Sequence, residues 1–118
     1  FYTFTELVED LYASLADSSF NKRIDTILKN HLIILDELGY VAMDETASDH
    51  IFQFIARAYE KRSVIVTSNL DFAEWGTLFA NTSTATATLD RLLHHAHVFN
   101  MKGDSYRMRS RLVQSNIE

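Results

Sequence analysis

The sequence predicts an α/β fold on a mostly parallel sheet, and three observations carry that prediction. Leu32-Ile33-Ile34-Leu35 and Ser63-Val64-Ile65-Val66-Thr67 are short apolar runs, the pattern of strands buried on both faces. Between them Ala47, Ile51, Phe54, Ile55 and Ala58 recur at helical spacing, which predicts a helix from residue 45 to about residue 61. Polar residues follow each run directly, where open α/β sheets place their ligand-binding groups.

The other elements fall around this frame. Residues 1–4 read as an opening strand. Thr3 and Glu6 stand at capping-box spacing, and Leu7, Val8, Leu11, Tyr12 and Leu15 continue a helix from them. Ser18-Ser19 caps a second short helix carrying Ile24, Ile27 and Leu28. Asp71 with Glu74 opens a third short helix through Trp75 to Phe79, with Phe72 and Trp75 expected in the core. Residues 81–88, rich in Thr, Ser and Ala, read as a loop leading into a helix over residues 86–93. Residues 96–101 are expected to form a fourth strand, and residues 106–112 a closing helix after the Gly103-Asp104-Ser105 turn. A doubly wound sheet normally holds more than four strands. With a first residue that is not methionine, this points to a longer parent whose missing strand lies upstream.

With 118 residues, 47% of them apolar, the chain suits one domain with one core. A net charge of −5 gives no overall electrostatic footprint for nucleic acid. The lack of cysteine removes disulfides, thiolate metal sites and cysteine nucleophiles, and is compatible with a cytoplasmic location. No apolar run approaches the roughly 20 residues needed to cross a bilayer, so no membrane association is expected.

The chemistry concentrates at the strand ends. Asp36 closes an aliphatic run, where a carboxylate can hold Mg²⁺ through its water shell. Glu37, one residue on, can orient or deprotonate an attacking water. Asn69 follows the next strand, where a neutral amide can hydrogen-bond both that water and a terminal phosphate. Arg91 lies among leucines and suits either a charge-stabilising finger or a solvated helix face with Asp90. Arg107 suits either a phosphate contact or a solvated basic face with Arg109 and Arg111. His94, His95 and His97 do not predict zinc, because neighbours on a helix diverge and no carboxylate accompanies them at ligand spacing.

Read together, Leu35-Asp36-Glu37-Leu38-Gly39-Tyr40, Ile65-Val66-Thr67-Ser68-Asn69, Phe72-Ala73-Glu74-Trp75-Gly76, Leu89-Asp90-Arg91-Leu92-Leu93-His94-His95-Ala96-His97 and Lys102-Gly103-Asp104-Ser105-Tyr106-Arg107 resemble the second half of an AAA+ nucleotidase core. The resemblance is narrower to the IstB-like transposition helper ATPases, relatives of the DnaC helicase loader. It covers nearly all of residues 1–118, taken as the carboxyl-terminal part of one AAA+ domain. It implies a partial P-loop NTPase core of three layers, lacking the first strand and the phosphate-binding loop. It also implies Asp36 and Glu37 as Walker B residues, Asn69 as sensor 1, Arg91 as a finger acting on a neighbouring subunit, and Arg107 as sensor 2. ATP and Mg²⁺, a homo-oligomer with shared sites, double-stranded DNA and a transposase follow as implied partners. No G-x-x-x-x-G-K-[ST] occurs, since the glycines are Gly39, Gly76 and Gly103, so this stretch alone is expected neither to bind ATP tightly nor to hydrolyse it. A helicase loader, a receiver domain using Asp36, Thr67 and Lys102, and a nonenzymatic interaction domain are the competing readings.

Overall fold

Among the described residues, strand β2 (Leu32–Leu38) is the centre of a three-stranded parallel sheet, between β1 (Tyr2–Thr3) and β3 (Ser63–Ser68). This computed structural model describes residues 1–39 and 42–103. Helices α1 (Phe4–Ala13) and α2 (Phe20–Ile27) connect β1 to β2, and α3 (Glu45–Ala58) connects β2 to β3. The short α4 (Phe72–Trp75), a 3₁₀ turn (Gly76–Leu78) and α5 (Thr82–Leu93) follow. The α/β class and the parallel sheet are as the sequence predicts.

Local signals set the helix starts. At α1 the Thr3 side chain accepts from the Glu6 N–H at 3.1 Å, and Glu6 Oε2 accepts from the Thr3 N–H at 3.2 Å, a complete capping box. Asp44 caps α3 by accepting from the Ala47 N–H at 2.8 Å, and its other oxygen accepts from the Tyr12 hydroxyl at 2.5 Å. That second bond ties α1 to the start of α3. Ser19 and Asp71 stand at their expected cap positions without a side-chain cap bond.

The core lies on one face of the sheet. Ile33, Leu35 and Leu38 from β2 meet Leu7 and Leu11 of α1, Ile24 of α2, and Ile51 and Phe54 of α3, all buried. Each large side chain so buried contributes roughly 1.5–3 kcal/mol. The opposite face departs from the expectation of strands buried on both sides: Leu32 is 49% and Ile65 47% exposed. Burial along β3 alternates residue by residue, as a sheet covered mainly on one side requires.

Three further expectations change. Residues 82–85 are helix rather than loop, because Asn81 accepts from the Thr84 N–H at 2.8 Å and so caps α5. Ala85 and Thr88 are buried within that helix, and the Thr88 hydroxyl is satisfied by the Thr84 carbonyl at 2.8 Å, so packing overrides a weak helix propensity. Residues 96–101 form no strand, since a strand persists only in a ladder and no described strand pairs with them; Phe99 is 81% exposed. Trp75 is buried as expected, donating to the Leu70 carbonyl at 3.1 Å, whereas Phe72 stays exposed and packs edge-on against the Trp75 ring. The closing helix expected over residues 106–112 lies outside the described residues.

His50 is a polar group inside this core. Its ring packs between Phe20, at 4.6 Å, and Tyr12, at 5.6 Å, and its Nδ1 has no hydrogen-bond partner among the described residues. Burial holds its pKa below the ordinary 6.5, against the opposing pull of the Asp49 and Asp44 carboxylates. The folded state therefore binds the proton more weakly than the unfolded chain does. The resulting contribution to stability is complete above pH 6.5 and is lost as the pH falls through the folded-state value. Urea midpoints measured across this range should fall with acidification, and His50→Phe should flatten that dependence; an unchanged slope in the variant would exclude His50 as its source.

Candidate functional site

The carboxyl end of β2 is built around a break in the ladder. Leu32 to Leu35 pair in register with Ser63 to Val66, but the next pair is Leu38 with Ser68. Two residues, Asp36 and Glu37, therefore face the single residue Thr67, which is a bulge. Glu37 takes up the extra length in the left-handed region, with φ +65°, uncommon for a residue other than glycine.

Thr67 closes the bulge from the neighbouring strand. Its hydroxyl donates to Oδ1 of Asp36 and accepts from the Glu37 backbone N–H at 3.0 Å. One side chain thus fixes the Asp36 carboxylate and satisfies the amide that the bulge frees. One residue further, the Ser68 hydroxyl donates to the Leu38 carbonyl at 2.6 Å and accepts from the Leu70 N–H at 3.0 Å. The two strand ends are laced together by consecutive hydroxyls.

Gly39 allows Asn69 to approach. At φ +126°, a Cβ built on Gly39 would stand 2.8 Å from Asn69 Oδ1 and 2.8 Å from Leu70 Cγ. The Asn69 amide therefore lies over the turn that follows Asp36 and Glu37. Asp36 and Glu37 are neighbours at the end of β2 and Asn69 meets the turn at Gly39, so three of the residues predicted from sequence fall at one end of the sheet. Sequence reasoning missed the positioning parts played by Thr67 and Gly39, and only the strand register would have revealed them.

Arg91 stands apart from this group. Its guanidinium donates to the Ala87 carbonyl at 3.0 Å and lies 5.3 Å from the centroid of the Phe52 ring on α3. No hydrogen bond among the described residues joins it to Asp36, Glu37 or Asn69. Arg107 lies outside the described residues. On the α1 side of β2, a pocket of about 260 Å³ is lined by Glu37 and Gly39 together with Phe4, Val8 and Met43. No residue of β3 lines it.

The donor set fits a hydrated Mg²⁺. Asp36 is half-buried at a strand end, one of its carboxylate oxygens is anchored by Thr67, and the other has no hydrogen bond to a described residue. Glu37 is exposed beside it. A hard oxygen ligand with a fixed orientation next to a free carboxylate can divide metal holding from proton handling.

The sequence profile of the family described as IstB-like ATP binding protein matches residues 1–114. This chain belongs to that family. An insertion sequence IS5376 putative ATP-binding protein of Geobacillus stearothermophilus is 41% identical over 97% of this chain and 45% of its own length. The IS21 putative ATP-binding protein of Pseudomonas aeruginosa is 37% identical over 94% of this chain and 42% of its length. The IS232 counterpart of Bacillus thuringiensis is 38% identical over 91% and 44%. The chain thus spans less than half the length of these relatives. IstB-like membership makes the parallel sheet a partial P-loop NTPase core and displaces the receiver-domain alternative. No helix among the described residues is long and apolar enough to cross a membrane.

The Gly39 turn gives a direct stability test. Gly39→Ala must combine a positive φ with a clash against Asn69 and Leu70, at a cost of about 1–3 kcal/mol. Gly76→Ala, with nothing within 4 Å of the added carbon, should be neutral or stabilising. Thermal melts of the two variants should separate clearly, and equal melting temperatures would refute the close approach of Asn69 to this turn.

Proposed function

We propose that this chain is the metal-and-water half of an ATPase site in an insertion-sequence helper protein, one that assembles on double-stranded DNA and assists a transposase. The observation that carries the reading is the Asp36-Glu37 bulge held by Thr67 at the carboxyl end of β2. Family membership and the insertion-sequence names of the relatives support the biological setting.

Each residue has a distinct task in this reading. Asp36 would hold a hydrated Mg²⁺, with one carboxylate oxygen fixed by Thr67. Glu37, set apart by the bulge, orients the attacking water and accepts its proton. Asn69, resting over Gly39, hydrogen-bonds that water and the terminal phosphate without adding charge. Mg²⁺ bound with the nucleotide supplies neutralisation of the charge on the transferred phosphoryl group.

The outer edge of β3 is unpaired among the described residues, and Asn69 lies just past its end. A further parallel strand along that edge would deliver a phosphate-binding loop to the same crevice, which is why we assign the nucleotide to that side. The reading also takes Arg91 as a finger acting on a neighbouring subunit. Its position away from the strand ends supports action in trans and, with it, a homo-oligomer whose sites complete one another.

Two assays of ATP turnover test this. Residues 1–118 alone, without a G-x-x-x-x-G-K-[ST] loop, should show no turnover. In a longer protein that carries the loop, Glu37→Gln should keep ATP binding while lowering kcat by roughly 10² or more, the scale of general-base loss. Turnover by residues 1–118, abolished by Glu37→Gln, would defeat the division of the site.

A further inference from the structure

The carboxyl ends of α3 and α5 carry three side chains that the ATPase reading does not use. Helix α3 ends at Ala58 and α5 at Leu93, and the two helices pack along each other. Just past these ends, Glu60 and His95 both occupy the left-handed region, with φ +59° and +65°. Two such residues at facing helix ends turn the chain so that distant side chains converge. His94 and His95 lie beyond the helix, so their rings do not diverge as helical neighbours would. They stack with centroids 3.9 Å apart.

The carboxylate that local spacing lacks is supplied by the other helix. His95 Nε2 stands 3.3 Å from Glu60 Oε1, and one ligand atom from each of Glu60, His94 and His95 falls within 4.8 Å of the others. The Tyr59 hydroxyl meets Nδ1 of His94, and an oxygen on one ring nitrogen is a common way of orienting a metal-binding imidazole. Both helix carboxyl termini add partial negative charge that favours a cation.

We propose that Glu60, His94 and His95 form a Zn²⁺ site that clamps the end of α3 to the end of α5. Two imidazole nitrogens and one carboxylate oxygen suit a borderline divalent ion and leave a coordination position open. All three residues are exposed, so the ion enters and leaves from solvent. Mg²⁺, which prefers oxygen ligands and keeps its water shell, does not compete well for such a set. The site is separate from Asp36 and Glu37 and does not depend on the ATPase reading.

Calorimetric titration of the full chain with Zn²⁺ in excess Mg²⁺, paired with thermal melts, tests this. The expected result is one saturable equivalent and a higher melting temperature with Zn²⁺. Both should be lost in the His94→Ala/His95→Ala double variant and in Glu60→Gln, and retained in His31→Ala. Tyr59→Phe should weaken binding by roughly tenfold or more. To separate loss of the site from loss of folding in the double variant, Glu60→Gln is also probed with Co²⁺, whose visible absorption reports the ligand set and should be reduced. A plain His95–Glu60 ion pair would give no saturable Zn²⁺ heat, and that result, or unchanged binding in both variants, would overturn the proposal.

Discussion

One hydroxyl group connects the sheet to its chemistry. Without the Thr67 side chain, the Glu37 amide freed by the bulge would need another partner, and the Asp36 carboxylate would lose the anchor that fixes it. Both bonds are exposed, so water can take the place of a lost partner, and what the threonine contributes is the fixed orientation of the bulge. The left-handed backbone at Glu37 is held by the same pair of contacts. Strain of this kind persists where surrounding structure over-determines it, and here the lacing by Thr67 and Ser68 does so.

The core explains why this arrangement stays in place. Asp36 and Glu37 extend from a strand whose inward residues, Ile33 and Leu35, are buried against α1 and α3. The Tyr12 hydroxyl on the Asp44 cap ties those two helices together beside the same strand end. The polar group is thus mounted at the end of a strand whose inward face is buried. The opposite face of the sheet leaves Leu32 and Ile65 exposed, and the outer edge of β3 is unpaired among the described residues.

Much of this was legible in the residues. Apolar runs closed by polar residues gave the two longer parallel strands, and Thr3 with Glu6 gave a capping box that forms in full. The failures have physical causes. Thr82 to Thr88 have poor intrinsic helix propensity, and only the Asn81 cap and burial against α3 make them helical. Residues 96–101 have strand-like composition but no partner among the described strands. Asp36, Glu37 and Asn69 could be named from their places after apolar runs, whereas Thr67 could not be paired with Asp36 before the register was known. Glu60 was invisible for the same reason, since it reaches the histidines through helix packing rather than spacing in the chain.

The Thr67 hydroxyl, and not merely its bulk, sets the geometry of Asp36 and Glu37. ATP turnover of Thr67→Ser and Thr67→Val, measured in a protein that includes the phosphate-binding loop, separates the two. Serine should keep kcat near that of the parent, while valine should lower it by about tenfold or more, as a loss of about 1.4 kcal/mol in transition-state stabilisation requires. Equal turnover in the two variants would contradict this role of the hydroxyl.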